Sequence, residues 1–224
     1  MKFRHEYKFY VNQSEYIVLR QRLRSVMESD SHTDENGEYK IRSLYFDNLY
    51  DKALLEKLNG VNNREKFRIR YYNDDFSKIS LEKKSKINGL CNKVSAPLTK
   101  EECEKILDGD LDWMLESPYD LVKELYVKMK TQLLKPKVLV DYMREPFVYE
   151  YGNVRITLDR DIRTGLYVTD LFDLDAPTII AGEPVIILEV KYDEYLPGFI
   201  RDIVDLKNKQ ATAYSKYGVC RIFG

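Results

Sequence analysis

The stretch Glu65–Tyr72 reads EKFRIRYY, so as a strand it carries Lys66, Arg68 and Arg70 on one face and Phe67, Ile69 and Tyr71 on the other. The pattern recurs along the chain. Arg4, Glu6 and Lys8 share a face within residues 2–11, and Glu82, Lys84 and Lys86 do so within residues 77–86. In VRITLD, Arg155, Thr157 and Asp159 oppose Val154, Ile156 and Leu158, while in ILEVKY, Glu189 and Lys191 oppose Leu188, Val190 and Tyr192. Two arrangements satisfy such strands. In an open sheet, helices cover the apolar face and the charged face meets water. In a closed barrel, which about eight strands can form, the apolar faces turn outward under helices and the charged faces line a tunnel. Charges enclosed in this way must be paired or meet a ligand, because unpaired burial costs several kcal/mol. Basic residues outnumber carboxylates on these faces, so the matching ligand is a polyanion, and guanidinium forks suit phosphate oxygens.

The rest of the chain supplies helices and turns around these strands. Strands are expected over residues 2–11, 39–47, 64–73, 77–86, 90–96, 136–151, 154–162 and 184–192. Asn88-Gly89 marks a hairpin. Helices are expected over residues 13–28, with Asn12 or Ser14 as cap; over DKALLEKLNG, ending at Gly60; and from Thr99, with Glu102 at capping-box spacing. Two more run from Ser117-Pro118 to about Leu134 and from Pro197 through PGFIRDIVDLKNKQ, and the terminal VCRIFG reads as a short strand. Hairpin-like connections predict a mostly antiparallel sheet in one domain spanning residues 1–224.

Bulk properties exclude several classes. The 224 residues hold 36 Lys+Arg against 37 Asp+Glu, so net charge points neither to nucleic acid nor to a membrane surface. Cys91, Cys103 and Cys220 are odd in number and scattered, which argues for free thiols in a reducing compartment. No signal peptide or run of transmembrane length occurs, and a cytoplasmic protein without direct membrane insertion is expected. The Asn12-Gln13-Ser14 sequon is read as chance. G-x-x-x-x-G-K-[ST], G-x-G-x-x-G and H-E-x-x-H are all absent. His5 and His32 cannot make a histidine-rich metal site, and His5 has the parity of the apolar face.

HEYKF, SLYFD, FRIRYY, LEKKSKING, YMREPF, VRITLD, ILEVKY and YSKYG, in this order, resemble the polyphosphate-polymerase (VTC) domain of the CYTH-like, or triphosphate tunnel metalloenzyme, superfamily. The resemblance spans nearly the whole chain. It implies an α+β fold, a closed antiparallel eight-stranded β-barrel tunnel with flanking helices. It also implies binding of ATP and polyphosphate with a divalent metal, Mn2+ or Mg2+, and transfer of the γ-phosphate of ATP onto a growing polyphosphate chain. Carried over by motif, Lys8 lies in E-x-K of the first strand and Arg68 and Arg70 form R-x-R. Lys84 and Lys93 are tunnel lysines on either side of the hairpin. Arg144 belongs to Y-x-R-x-x-F, Arg155 to V-R-I-x-L-D and Lys216 to S-K-Y, while Glu189 is the metal carboxylate. Lys8, Arg68, Arg70, Lys84 and Lys216 are thus the catalytic candidates. Lys93, Arg144, Arg155, Lys86 and Lys191 are the substrate-binding ones. Lys83 rivals Lys84, but parity with Glu82 and Lys86 favours Lys84.

The chain departs from the hydrolytic CYTH pattern E-x-E-x-K, because Arg4 holds the first Glu position. That favours a polymerase over an inorganic triphosphatase or ATP hydrolase, and Glu189 favours an enzyme over a non-catalytic polyphosphate-binding module. The SPX sensor and membrane segments of eukaryotic relatives are not found in these residues, so direct inositol-phosphate regulation and coupled translocation are not expected of this chain unless a separate membrane-protein partner supplies them. Glu6 and Glu82 are read as orienting tunnel cations. Glu189 could instead only pair with Lys191 or Arg155, and Asp47 either caps a loop or binds a basic neighbour. Trp113 and most of the 18 tyrosines are read as packing.

Overall fold

The alternating stretches fold as strands of one sheet. The structure is a computed structural model that describes residues 4–30, 33–204 and 209–223; His32 lies outside them. The strands are β1 (His5–Val11), β2 (Glu28–Ser29), β3 (Tyr39–Asp47), β4 (Arg64–Tyr72), β5 (Asp75–Ile87), β6 (Leu90–Leu98), β7 (Lys135–Tyr149), β8 (Val154–Thr164), β9 (Ile179–Ile180) and β10 (Ile186–Tyr192). The helices are α1 (Gln13–Arg24), α2 (Lys52–Leu58), α3 (Lys100–Asp108), α4 (Asp120–Gln132), α5 (Gly198–Ile203) and α6 (Lys216–Ile222), with a 3-10 turn at Asp112–Glu116. Eight strands run in the order β1-β10-β8-β7-β3-β4-β5-β6, every pairing antiparallel, and the two-residue β2 and β9 attach to β7 and β8.

Local chemistry explains most boundaries. Asn88 and Gly89 both take positive φ, 50° and 82°, as the two-residue β5–β6 turn requires. Asn12 caps α1 by accepting from Glu15 N at 2.9 Å. Thr99 and Glu102 exchange the two bonds of a capping box at the start of α3, at 3.1 and 2.8 Å. Helix α4 stops at Gln132 because Leu133 turns left-handed.

The sheet curls strongly. β1 and β6 are its first and last strands, yet Lys84 of β5 reaches Glu6 of β1 at 2.6 Å. The expected closed barrel is not formed: the edge strands share one antiparallel bridge, Arg4–Cys91, and no ladder. The reason lies at the free edge of β1. There the Lys8 carbonyl accepts Thr212 N at 2.8 Å, so chain from the C-terminal segment occupies the place a β6 ladder would take.

Helices cover the convex face as the apolar parity demands. Helices α3 and α4 pack on Phe67, Ile69, Leu81 and Ala96, and α1 and α5 on Phe9, Ile156, Leu158 and Val190. Trp113 packs against the first of these groups while its indole N–H donates to Asp110 O. His5 is not core; it stays half-buried, stacked on Tyr192 with centroids 5.0 Å apart.

Of the terminal VCRIFG, expected as a strand, Val219–Ile222 belong to α6 and Phe223 caps it, while Gly224 lies outside the described residues. Ser215 caps that helix by accepting from Gly218 N, and its Tyr217 and Cys220 pack on Ile41, Val138, Val140 and Ile187 inside the curl. The concave face therefore has an apolar zone filled by α6 beside its charged zone. Asp47 anchors this arrangement. Its carboxylate accepts Ala53 N at 2.9 Å and Leu54 N at 3.2 Å from the start of α2, and the Tyr217 hydroxyl from α6. Asp47→Ala would orphan these donors, and we expect urea unfolding to register a loss of about 2–3 kcal/mol; a loss within error of zero would contradict the anchoring role.

Candidate functional site

Strand parity delivers the charged side chains to the concave face, where they form two linked ion clusters. In the first, Arg68 donates from Nε and Nη2 to Glu82 Oε2 at 2.8 and 2.5 Å, and Lys93 reaches Glu82 Oε1 at 2.9 Å. Arg70 lies 3.8 Å from the same carboxylate and donates to Ser43 Oγ and the Tyr142 hydroxyl, both at 2.9 Å. Burial opposes ionisation of Glu82, but Arg68, Arg70 and Lys93 hold its carboxyl well below the usual range. Lys93, on edge strand β6, remains half-exposed.

The second cluster spans β1, β7, β8, β10 and α6. Arg144 donates to both Asp159 oxygens at 2.6 and 2.7 Å and to Glu189 Oε2 at 3.3 Å. Lys216 donates to Asp159 Oδ2 at 2.5 Å, with its ammonium 4.5 Å from the Tyr142 ring centroid. Glu189 also receives Lys191 at 2.9 Å and Lys8 at 3.5 Å. Lys8 lies 3.5 Å from Glu6, which binds Lys84. Burial disfavours each of these charges. The surrounding cations nevertheless hold Glu189 well below the carboxylate range and bring Asp159 and Glu6 down to about 2. For Lys191 burial prevails over the pull of Glu189 and Glu6, and its amine falls to about 8.

A cavity of ≈ 130 Å³ opens beside this cluster, bordered by Lys8 and Lys84 and by Lys57, Arg64, Lys66 and Lys86. Those last four form no ion pair with a described carboxylate, and Glu65, at the rim, is engaged by Lys128. Arg155 lies apart from it, in a second hollow with Tyr39 and Tyr72, bonded to the Tyr39 hydroxyl at 2.8 Å and to Asp30 at 2.7 Å.

The geometry thus gathers Lys8, Arg68, Arg70, Lys84, Lys93, Arg144, Lys191, Glu189 and Lys216 in the charged zone, places Lys86 at the cavity and sets Arg155 at the second hollow. Lys83 points outward to Glu124 of α4. Arg4 turns to Asp193 at 2.9 Å and to the Asn153 carbonyl. Sequence reasoning did not single out Lys57 or Arg64, and it placed Lys66 and Asp159, the hub of the second cluster, on charged strand faces without giving either a role. It also assigned to packing the tyrosines that wrap the cations: Tyr45 accepts from Arg68 at 2.7 Å, and Tyr142 lies under Arg70, Arg144 and Lys216. Parity already set Lys66 beside Arg68, and could have found Tyr142 beside Arg144.

Among the described residues no three His, Cys, Asp or Glu side chains converge as a metal-binding group. Glu189 does have an oxygen neighbour. Thr157 pairs with it across β8 and β10, and the Thr157 hydroxyl is buried without a hydrogen-bond partner. A carboxylate beside a free hydroxyl suits the start of a hard-cation shell that phosphate oxygens and water would complete.

The VTC domain family matches residues 3–222. Among solved structures the fold is similar to that of a candidate adenylate cyclase from Bacillus halodurans, with 15% identity, TM-score 0.50, and 85% of this chain and 80% of that one covered. It is similar also to a conserved hypothetical protein from Pyrococcus furiosus, with 13% identity, TM-score 0.51, and coverage of 95% and 96%. At such identities these likenesses bear on the fold alone. No curated protein matches the chain significantly.

Proposed function

The chain belongs to the VTC domain family and has the CYTH-like fold, and from that premise we propose that it transfers the γ-phosphate of ATP to a growing polyphosphate chain on its concave face. The observation that carries this reading is the cavity in which Lys57, Arg64, Lys66 and Lys86 have no carboxylate partner among the described residues, beside the paired Lys8 and Lys84. Cations held together without counter-charge repel one another, and a phosphate chain relieves that repulsion at successive oxygens.

Phosphoryl transfer asks for alignment and charge neutralisation more than covalent help. Arg68, Arg70 and Arg144 are fixed by Glu82, Tyr142 and Asp159, so their forks are positioned before substrate arrives. Lys8, Lys84 and Lys191 are held by carboxylates and can exchange these for phosphate oxygens. Mn2+ or Mg2+, held by Glu189 and Thr157, would neutralise charge on the transferring group. Water is a poor nucleophile that needs a base, whereas a terminal phosphate is already anionic. The carboxylates of the charged zone are held ionised by paired cations and are poor bases. Arg4, in the position of a hydrolase carboxylate, is engaged at the rim, which favours the polymerase over the triphosphatase. No helix among the described residues is long and apolar enough to cross a membrane, and export of product would need a separate membrane-protein partner.

Incubation with ATP and Mn2+, with polymer, ADP and free phosphate followed separately, tests the reading. ADP and acid-labile polymer are expected, with free phosphate minor and any lag shortened by a polyphosphate primer. Release of mostly free phosphate at early times would replace the polymerase with a triphosphatase, and no turnover of ATP would leave a binding module.

A further inference from the structure

Lys66 is one of the cations that line the cavity. It leaves β4 between Arg64 and Arg68, directly across from Lys84 on β5. Its ammonium nitrogen lies 5.3 Å from the Tyr45 ring centroid and 5.9 Å from that of Tyr217, so two aromatic walls flank it. The charged and titratable groups around it are Tyr45 and Asp47 from β3, Tyr217 from α6, Tyr214 just before that helix, Lys84 and Lys86 from β5, Glu6 and Lys8 from β1, Cys91 from β6, Lys52, Glu56 and Lys57 from α2, and Arg64, Glu65 and Arg68 from its own strand. The described carboxylates among them have other partners: Glu6 binds Lys84 and Lys8, Glu65 binds Lys128, Glu56 lies 3.7 Å from Lys52, and Asp47 holds Tyr217 and the start of α2.

We propose that Lys66 receives an oxygen of an inorganic phosphate chain in this cavity and takes up a proton from solvent as that anion binds. The proposal rests on the phosphate-chain reading above and goes further, because it couples binding at this one residue to pH. A buried amine among so many cations is poorly supported as an ammonium until a counter-ion arrives, even with two ring faces beside it. In the free protein, burial, together with Lys84, Lys8 and Arg68, lowers Lys66 to about 7 against the opposing pull of Tyr45. A bound phosphate adds the missing negative charge and raises it. The sign follows by linkage: affinity is fully present below about 7 and weakens as pH rises towards the value in the complex, by at most about tenfold per pH unit for one proton. The Tyr45 hydroxyl responds in the same direction. Burial raises it, but Arg68, Lys66 and Arg70 bring it down to about 7, and a nearby anion would push it back up. Its contribution must therefore be separated.

Calorimetric titration with inorganic triphosphate, without metal, in buffers of different ionisation heat reads both affinity and proton uptake. At pH 8, wild type is expected to take up more protons per triphosphate than Lys66→Arg, the difference approaching one. Lys66→Arg should still bind, and its affinity should vary less between pH 7 and 8.5. Tyr45→Phe should retain most of the wild-type uptake. Lys66→Met gives an independent check: it should bind at least tenfold more weakly than wild type at pH 6.5, the gap closing by pH 8.5. Equal uptake by wild type and Lys66→Arg, uptake abolished by Tyr45→Phe, or a Lys66→Met gap constant with pH would each overturn the proposal while leaving the phosphate reading intact. Failure of wild type to bind triphosphate at any pH would overturn that reading and this proposal together.

Discussion

Lys216→Met should unfold in urea with about 3 kcal/mol less stability than wild type, because the lysine is a buried tie between α6 and the sheet. Its ammonium bonds Asp159, whose side chain is fully buried, and lies over the Tyr142 ring. Breaking a buried pair by removing one partner typically costs about 3–5 kcal/mol, since the remaining charge has lost its counter-ion. The lower figure applies here because Arg144 keeps its two bonds to Asp159. Acid titration gives a second reading. Folded Asp159 has its carboxyl depressed to about 2, by Arg144 and Lys216 against burial. Its contribution is present above the unfolded value of about 4 and is lost as pH falls through about 2. With Lys216 gone the depression shrinks and the acid transition should move to higher pH. A double-mutant cycle with Asp159→Asn apportions the pair. An unchanged urea midpoint in Lys216→Met would show that α6 is held by its apolar contacts alone. Any loss of turnover in this variant has to be divided by the fraction folded before Lys216 is credited with chemistry.

Period-two alternation made the long strands readable, because one face of each packs under helices and is mostly apolar, the buried Arg42, Asp141 and Glu145 there being paired. Asn88-Gly89 and the Thr99–Glu102 box were readable because their chemistry is local. What alternation cannot carry is curvature. The register within β1 and β6 says nothing of how far apart those strands end, and chain from the far C-terminus decides it by bonding the β1 edge at Lys8. The same gap hid α6. VCRIFG is short and apolar, and periodicity alone does not separate a buried strand from a buried helix of that length. Its fate is fixed by Ser215 and by long-range partners, Asp159 for Lys216 and Asp47 for Tyr217. Within the site, motif spacing found the cations that carboxylates fix, such as Arg68 and Arg144. Alternation put Lys66 on the charged face but gave it no role, because what distinguishes it is the lack of a carboxylate partner among the described residues, a property of the assembled cavity and of no single strand.

Glu189→Gln should lower metal-dependent turnover by about 100-fold while strengthening metal-free triphosphate binding by roughly tenfold. The two effects run in opposite directions because the carboxylate has two relations to phosphate. It is an anion within a cationic zone, receiving Lys8, Arg144 and Lys191, so its charge repels any phosphate that approaches them. Neutralising it leaves three cations with less to hold and more to offer the ligand. It is also the buried carboxylate beside the unpartnered Thr157 hydroxyl, the pair best suited to a hard dication. Losing that charge weakens the hold on Mn2+ or Mg2+, whose task is to neutralise the transferring group, and turnover falls even as substrate binds more tightly. Thr157→Val separates ligation from charge. It removes one oxygen and no charge, and that oxygen bonds nothing in the protein, so the fold should be spared. Under the metal assignment Thr157→Val raises the Mn2+ concentration needed for half-maximal rate and leaves metal-free triphosphate binding unchanged. Arg68→Ala is the contrasting case: under the proposed function it removes a phosphate-binding fork, and it frees Glu82, so binding and turnover should fall together. If Glu189→Gln instead weakens metal-free binding as Arg68→Ala does, Glu189 serves only to hold Lys8, Arg144 and Lys191 in place, and the metal must be carried by other groups.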